Sequence, residues 1–139
     1  MRRFSLLLML AAAPAFAQHP VVELKAGMHL IRAEVVSDPG ARAQGLMHRK
    51  SMAQNAGMLF IFDEAAVHCM WMKNTLIPLS VAFIDERGAI VNIADMEPHS
   101  EASHCAARPV PYALEMNRGW FAARGIKPGT RLSGIPGAK

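Results

Sequence analysis

The chain has 139 residues, 52% of them hydrophobic, and a formal charge of +4. Two of those positive charges, Arg2 and Arg3, stand at the very start, so the remainder carries only about +2, with its basic residues dispersed. That balance argues against a nucleic-acid surface, and the length allows one domain with a core of its own.

Residues 1–17 read as a cleavable secretory signal. Arg2 and Arg3 form the positive start, residues 4–13 the apolar stretch, and Ala15-Phe16-Ala17 a small-x-small cleavage site. The apolar stretch falls short of the roughly 20 residues of a membrane span. Phe4-Ser5-Leu6 behind the arginine pair fits a twin-arginine motif poorly, so a Sec-type signal is expected. Cleavage after Ala17 would leave Gln18 first, in a periplasmic or secreted protein with no membrane span. No Cys at the cleavage site suggests a lipid anchor.

Residues 18–139 then form one domain, whose Gly/Pro-punctuated tail from about residue 134 reads as flexible. Residues 21–36 alternate around Gly27 as a hairpin or a long bent strand. Asp38-Pro39 starts a helix, with Asp38 as N-cap. The helix is expected to run to about Met47, with Ala43, Leu46 and Met47 inward. Residues 58–62 and 68–73 read as strands. A hairpin follows: Leu79–Ile84, the turn Asp85-Glu86-Arg87-Gly88, then residues 89–94. In its first strand Leu79, Val81 and Phe83 face one way, and Ser80, Ala82 and Ile84 the other. Residues 98–111 read as a loop, 112–117 as a strand, 119–124 as a helical turn and 127–130 as a turn before a short last strand. Such short, frequent strands point to a mainly β domain: a small antiparallel β-barrel or two-layer sandwich with one or two short helices.

Three stretches carry a resemblance: Arg42-Ala43-Gln44-Gly45-Leu46-Met47-His48-Arg49, Gly57-Met58-Leu59-Phe60-Ile61-Phe62, and Trp71-Met72-Lys73-Asn74-Thr75-Leu76-Ile77-Pro78-Leu79. Phe83-Ile84-Asp85, Gly88, Pro98, Leu114-Glu115 and Gly119 continue it in the same order. The chain resembles the domain-of-unknown-function 192 family of bacteria and archaea over nearly all of residues 18–139. The resemblance implies a compact β-barrel-like or sandwich domain, often exported, with no agreed activity. Family members usually carry Asp after the Pro-Leu pair, where this chain has Ser80. If that acid normally pairs with the lysine, Lys73 needs another acceptor, and Glu115 is the candidate.

Lys73 and Asn74 follow an apolar run, and a buried lysine needs a carboxylate partner. One reading makes Lys73–Glu115 a structural pair, with Asn74 tying down the turn. A second makes Trp71, Lys73, Asn74 and Glu115 the border of a pocket for an unknown small ligand or exported partner. A third makes Lys73 and Glu115 the centre of an uncharacterised enzyme.

Cys69 and Cys105 in an exported chain favour a disulfide, with free or metal-binding thiols as alternatives. His68, Met70 and Met72 share one strand face and offer soft ligands, so a periplasmic copper site is a further alternative. Methionines in apolar strands more often fill a core. The chain has no G-x-S-x-G, H-E-x-x-H, P-loop or C-x-x-C motif, so no catalytic residue is named. The expectation is an exported binding or accessory domain, more a binder than an enzyme, with no resident cofactor unless copper.

Overall fold

The computed structural model describes residues 19–139; the signal peptide read above lies outside the described residues. Strands β1 (Val21–Ala26) and β2 (His29–Val36) form an antiparallel hairpin that turns at Gly27, whose φ of 61° suits a residue without a Cβ. Helix α1 (Pro39–Gln44) then crosses to β3 (Ala56–Ala66), which pairs with β2 in parallel. β4 (Cys69–Met70), β5 (Leu79–Ile84), β6 (Ile90–Met96), β7 (His104–Cys105), β8 (Val110–Asn117), α2 (Trp120–Ala123) and β9 (Leu132–Ser133) complete the order. Seven strands make one sheet, β6-β5-β8-β3-β2-β1-β9, curled into a half-barrel, while β4 and β7 make a separate ribbon. Backbone bonds from Leu132 N to Gly88 O and from Ile90 N to Thr130 O tie the two edges together at one end. Among the described residues no helix is long and apolar enough to cross a membrane.

The sheet is buried on both faces, and the period of two explains how. In β5 all six residues are buried. Leu79, Val81 and Phe83 join a cluster with Met58, Phe60, Met72 and Met96. Ala82 and Ile84 join the opposite cluster with Leu24, Ile31, Leu59, Leu114 and Phe121. The second cluster is covered by α2 and the chain end. The tail from residue 134 is tied down rather than loose: Ile135 is buried, and Lys139 N donates to Glu86 O at 2.8 Å.

Two local expectations need correction. Asp38 caps α1, its Oδ1 accepting from Ala41 N at 2.9 Å, but the helix stops at Gln44 because Gly45 takes φ 48°. Ala43 is therefore exposed, and Leu46 is buried only after the helix has ended. The strand expected at 68–73 shrinks to Cys69–Met70, and residues 98–111 contain its partner, His104–Cys105. Cys69 and Cys105 face each other in that ribbon and are joined by a disulfide. The bridge spans 36 positions of sequence, which by loop closure stabilises the fold by about 3–4 kcal/mol. Neither cysteine is left as a free thiol.

Candidate ligand-binding site

A cavity of about 230 Å³ opens on the Met58/Phe60 face of the sheet. One wall is the segment 42–47, which leaves α1 and passes over β3. Gly45 is needed there: a Cβ on it would lie 3.3 Å from Phe60 Cζ, in a backbone conformation that L residues rarely adopt. Phe60 and Phe62 from β3 form a second wall, and Cys69, Met70, Trp71 and Thr75 a third. Glu115, in β8, forms the floor.

The Trp-Met-Lys-Asn-Thr run shapes its wall by alternation and one tight turn. Met72 points into the core and is fully buried, so Trp71 and Lys73 turn outward. Asn74 adopts φ 53°, a left-handed conformation that Asn tolerates, and Thr75 N closes the turn onto Met72 O at 3.1 Å. The Asn74 carbonyl accepts from His48 N at 2.9 Å, clamping the segment after α1 against this turn. Thr75 Oγ1 donates to Lys73 O at 3.1 Å, so its hydroxyl serves the turn.

Glu115 sits between the cross-strand neighbours Met58 on β3 and Val81 on β5, both buried and apolar. It is 4% exposed, and no hydrogen bond or ion pair among the described residues reaches its carboxyl group. No buried side-chain oxygen among the described residues is both sealed and unpaired, and Glu115 is one of the residues that line the cavity. Burial pushes the Glu115 carboxyl up from 4.5 to about 8, and it is mostly protonated at neutral pH. Gly57 supports the floor from behind, where a Cβ would lie only 2.5 Å from the Glu115 carbonyl oxygen.

Arg42 brings a positive charge to the wall, but its guanidinium is engaged. It donates to Ser37 O, to Ile61 O at 3.3 Å and to Asp63 at 3.3 and 3.4 Å, and lies 5.8 Å over the Phe62 ring. The Phe62 ring also stacks on His68, with ring centroids 3.6 Å apart.

The expected Lys73–Glu115 pair does not form. Lys73 is exposed, its ammonium 5.3 Å over the Trp71 ring, where it keeps its hydration. Burial alone governs the Glu115 carboxyl, with no contribution from a lysine. Trp71 and Glu115 therefore line the cavity, Asn74 holds its rim through the backbone, and Lys73 covers Trp71 from outside. Position 80 has a different task from the one the missing acid suggested. Ser80 Oγ donates to Asp95 Oδ1 at 2.6 Å and accepts from Gly119 N at 3.0 Å, a local tie to the start of α2.

Of the soft-ligand set, Met72 is sealed in the core, Met70 lines the cavity and His68 is stacked on Phe62, its Nε2 2.9 Å from Glu64 O. No group of three or more His, Cys, Asp or Glu able to hold a metal forms among the described residues. Arg42, Gly45, Met47, Phe60, Phe62 and Thr75 were not expected as lining. A signal was nevertheless present, since all six belong to the three stretches that carry the resemblance, and those stretches meet around this cavity.

A curled β half-barrel with a cavity walled by three characteristic runs defines the class of protein. The chain belongs to the domain-of-unknown-function 192 family, described as "Uncharacterized ACR", whose model matches residues 21–134. It is similar to a crystal structure from Sinorhizobium meliloti 1021, provisionally described as a transcription regulator. The two share 41% identity over 88% of this chain and 98% of that one, with a TM-score of 0.78. A protein of unknown function from Novosphingobium aromaticivorans DSM 12444 is 34% identical, over 88% of this chain and 94% of that one, with a TM-score of 0.77. The search of curated proteins finds no match.

Proposed function

We propose that this chain is an exported binding domain whose cavity takes a small ligand. The observation that carries the reading is the Glu115 carboxyl, without a partner among the described residues, at the floor of a cavity walled by Phe60, Phe62, Trp71 and Met70. Ligand sites combine mostly apolar walls with a few placed polar groups, and about 230 Å³ falls just below the roughly 300–1,000 Å³ of drug-sized sites. A small molecule fits that scale. Export is supported by the tripartite start of the chain and by the Cys69–Cys105 bridge, which suits an oxidising compartment.

The regulator description of the Sinorhizobium protein is not carried to this chain. Helices of six and four residues give little to lay in a major groove, and Arg42, Arg49, Arg108 and Arg118 all pair with acids of the domain. The test is a protein-observed NMR screen of residues 18–139 against small aromatic and aliphatic fragments. Binding that moves the signals of residues 42–47, 60–62, 69–75 and 115 is expected. Fragments that move only signals elsewhere would overturn the reading. Intact-mass analysis of exported protein should show Gln18 first, and retention of Met1 would overturn the export.

A further inference from the structure

We propose that this cavity takes a small organic cation, a primary ammonium on an apolar body, and that Glu115 releases its proton as the cation binds. The inference rests on the cavity being a ligand site and names what that site selects.

The polar groups around the cavity narrow the chemistry. Thr75 Oγ1 donates to Lys73 O, and the Arg42 guanidinium is held by two carbonyls and Asp63. The buried polar side chain left without a partner among the described residues is Glu115, and it lines the cavity. A neutral ligand would be served equally by glutamine, which makes the same shape without an ionisable group. A carboxyl group gains over glutamine only when its charge forms against an opposite one, as a charge-assisted hydrogen bond in a dry site. The walls suit the same ligand. Trp71 already carries the Lys73 ammonium 5.3 Å over its ring, and Phe60 adds a second aromatic surface beside the floor.

The charges facing Glu115 from each packed element permit the step. β3 presents Met58 and β5 presents Val81, neither titratable. The segment from α1 brings Arg42, paired with Asp63; the 69–75 segment brings Lys73, turned outward; and His68 lies behind Phe62. The step balances simply: the neutral acid and the ammonium ion enter, a carboxylate–ammonium pair remains, and one proton leaves to solvent.

The experiment uses residues 18–139 with benzylamine and benzyl alcohol as matched probes, measured by NMR affinity and by the ¹³C signal of the Glu115 carboxyl. Because Glu115 holds its proton to about pH 8, benzylamine affinity should rise about tenfold per pH unit from pH 6 and level near pH 8. Saturating benzylamine should lower the Glu115 titration midpoint by about one pH unit or more. Benzyl alcohol affinity should stay flat or fall over the same range. Glu115→Gln, which matches the protonated form in shape, should keep the alcohol and lose both the preference for the amine and its pH slope. Benzylamine binding no tighter than the alcohol, or weakening as pH rises, would overturn the cation while leaving the cavity a ligand site. The wild-type pH slope persisting in Glu115→Gln would do the same. Neither probe reaching the cavity would remove both readings.

Discussion

Two buried acids in this domain have opposite surroundings. Asp85, at the turn between β5 and β6, is 7% exposed; Glu115, in the middle of β8, is 4% exposed. Burial pushes both upward, but Asp85 accepts from Ala89 N at 3.0 Å and Arg87 N at 2.9 Å, and Arg108 reaches its other oxygen at 3.2 Å. Those partners hold the Asp85 carboxyl below its usual value, while Glu115, which has none among the described residues, is raised to about 8. Depth alone does not set the charge of a buried acid; the donors around it do. Asp85 is part of the scaffold, closing its turn. Glu115 weakens the scaffold where it stands, which is what the proposed role as a ligand group would require.

The largest expected effect follows from Glu115. The unfolded chain releases this proton near pH 4.5, whereas the folded chain holds it to about pH 8. The stability of the protonated group is complete below 4.5, declines across that window and stays low above 8, a total of about 5 kcal/mol. Glu115→Gln removes the dependence. Denaturation of the two proteins should coincide below pH 4.5, and the variant should be several kcal/mol more stable at pH 8. Equal stabilities at pH 8 would mean that Glu115 has a partner the structure does not show.

Asp85→Asn should act in the opposite sense. Folding lowers this pKa, so the stabilisation is present above the ordinary 3.8 and is lost as pH falls through the folded value. The variant should lose about 2 kcal/mol at neutral pH, mostly the charge-assisted bonds, and approach the parent in acid. A parallel pH trend in the two variants would collapse the contrast between the acids.

The smallest effect belongs to Lys73. An exposed ammonium over Trp71 is worth less than about 1 kcal/mol, so Lys73→Met should melt close to the parent. A loss of about 3–5 kcal/mol, as for a broken buried ion pair, would put Lys73 back beside Glu115.

Much of the fold was legible because local rules act over a few residues. The hairpins at Gly27 and Gly88, the Asp38 cap and the two-sided alternation of β5 all follow from turn chemistry and the period of two. The end of α1 was misplaced because Leu46 and Met47 continue the apolar pattern past Gly45, whose positive φ ends the helix and whose missing Cβ leaves room for Phe60. The β4/β7 ribbon was hidden for another reason: two-residue strands carry no period, and this one exists through its long-range pairing and its disulfide.

The site was half legible. Trp71 and Glu115, which line the cavity, stood out as residue types, and two cysteines behind a signal-like start favoured the Cys69–Cys105 bridge. The direction of Lys73 could not be read, since it depends on Met72 taking the inward position at a turn.

By itself the sequence determined a mainly β domain, its turns and the carboxyl group in an apolar strand, because each is a property of neighbours along the chain; the pairing of Cys69 with Cys105, 36 positions apart, needed the fold. Only the tertiary structure decided that residues 42–47, 60–62 and 69–75 close around Glu115, and that no donor from any of them reaches it. A missing partner is a fact about space, since strands far apart in sequence must be laid side by side before a group is found alone.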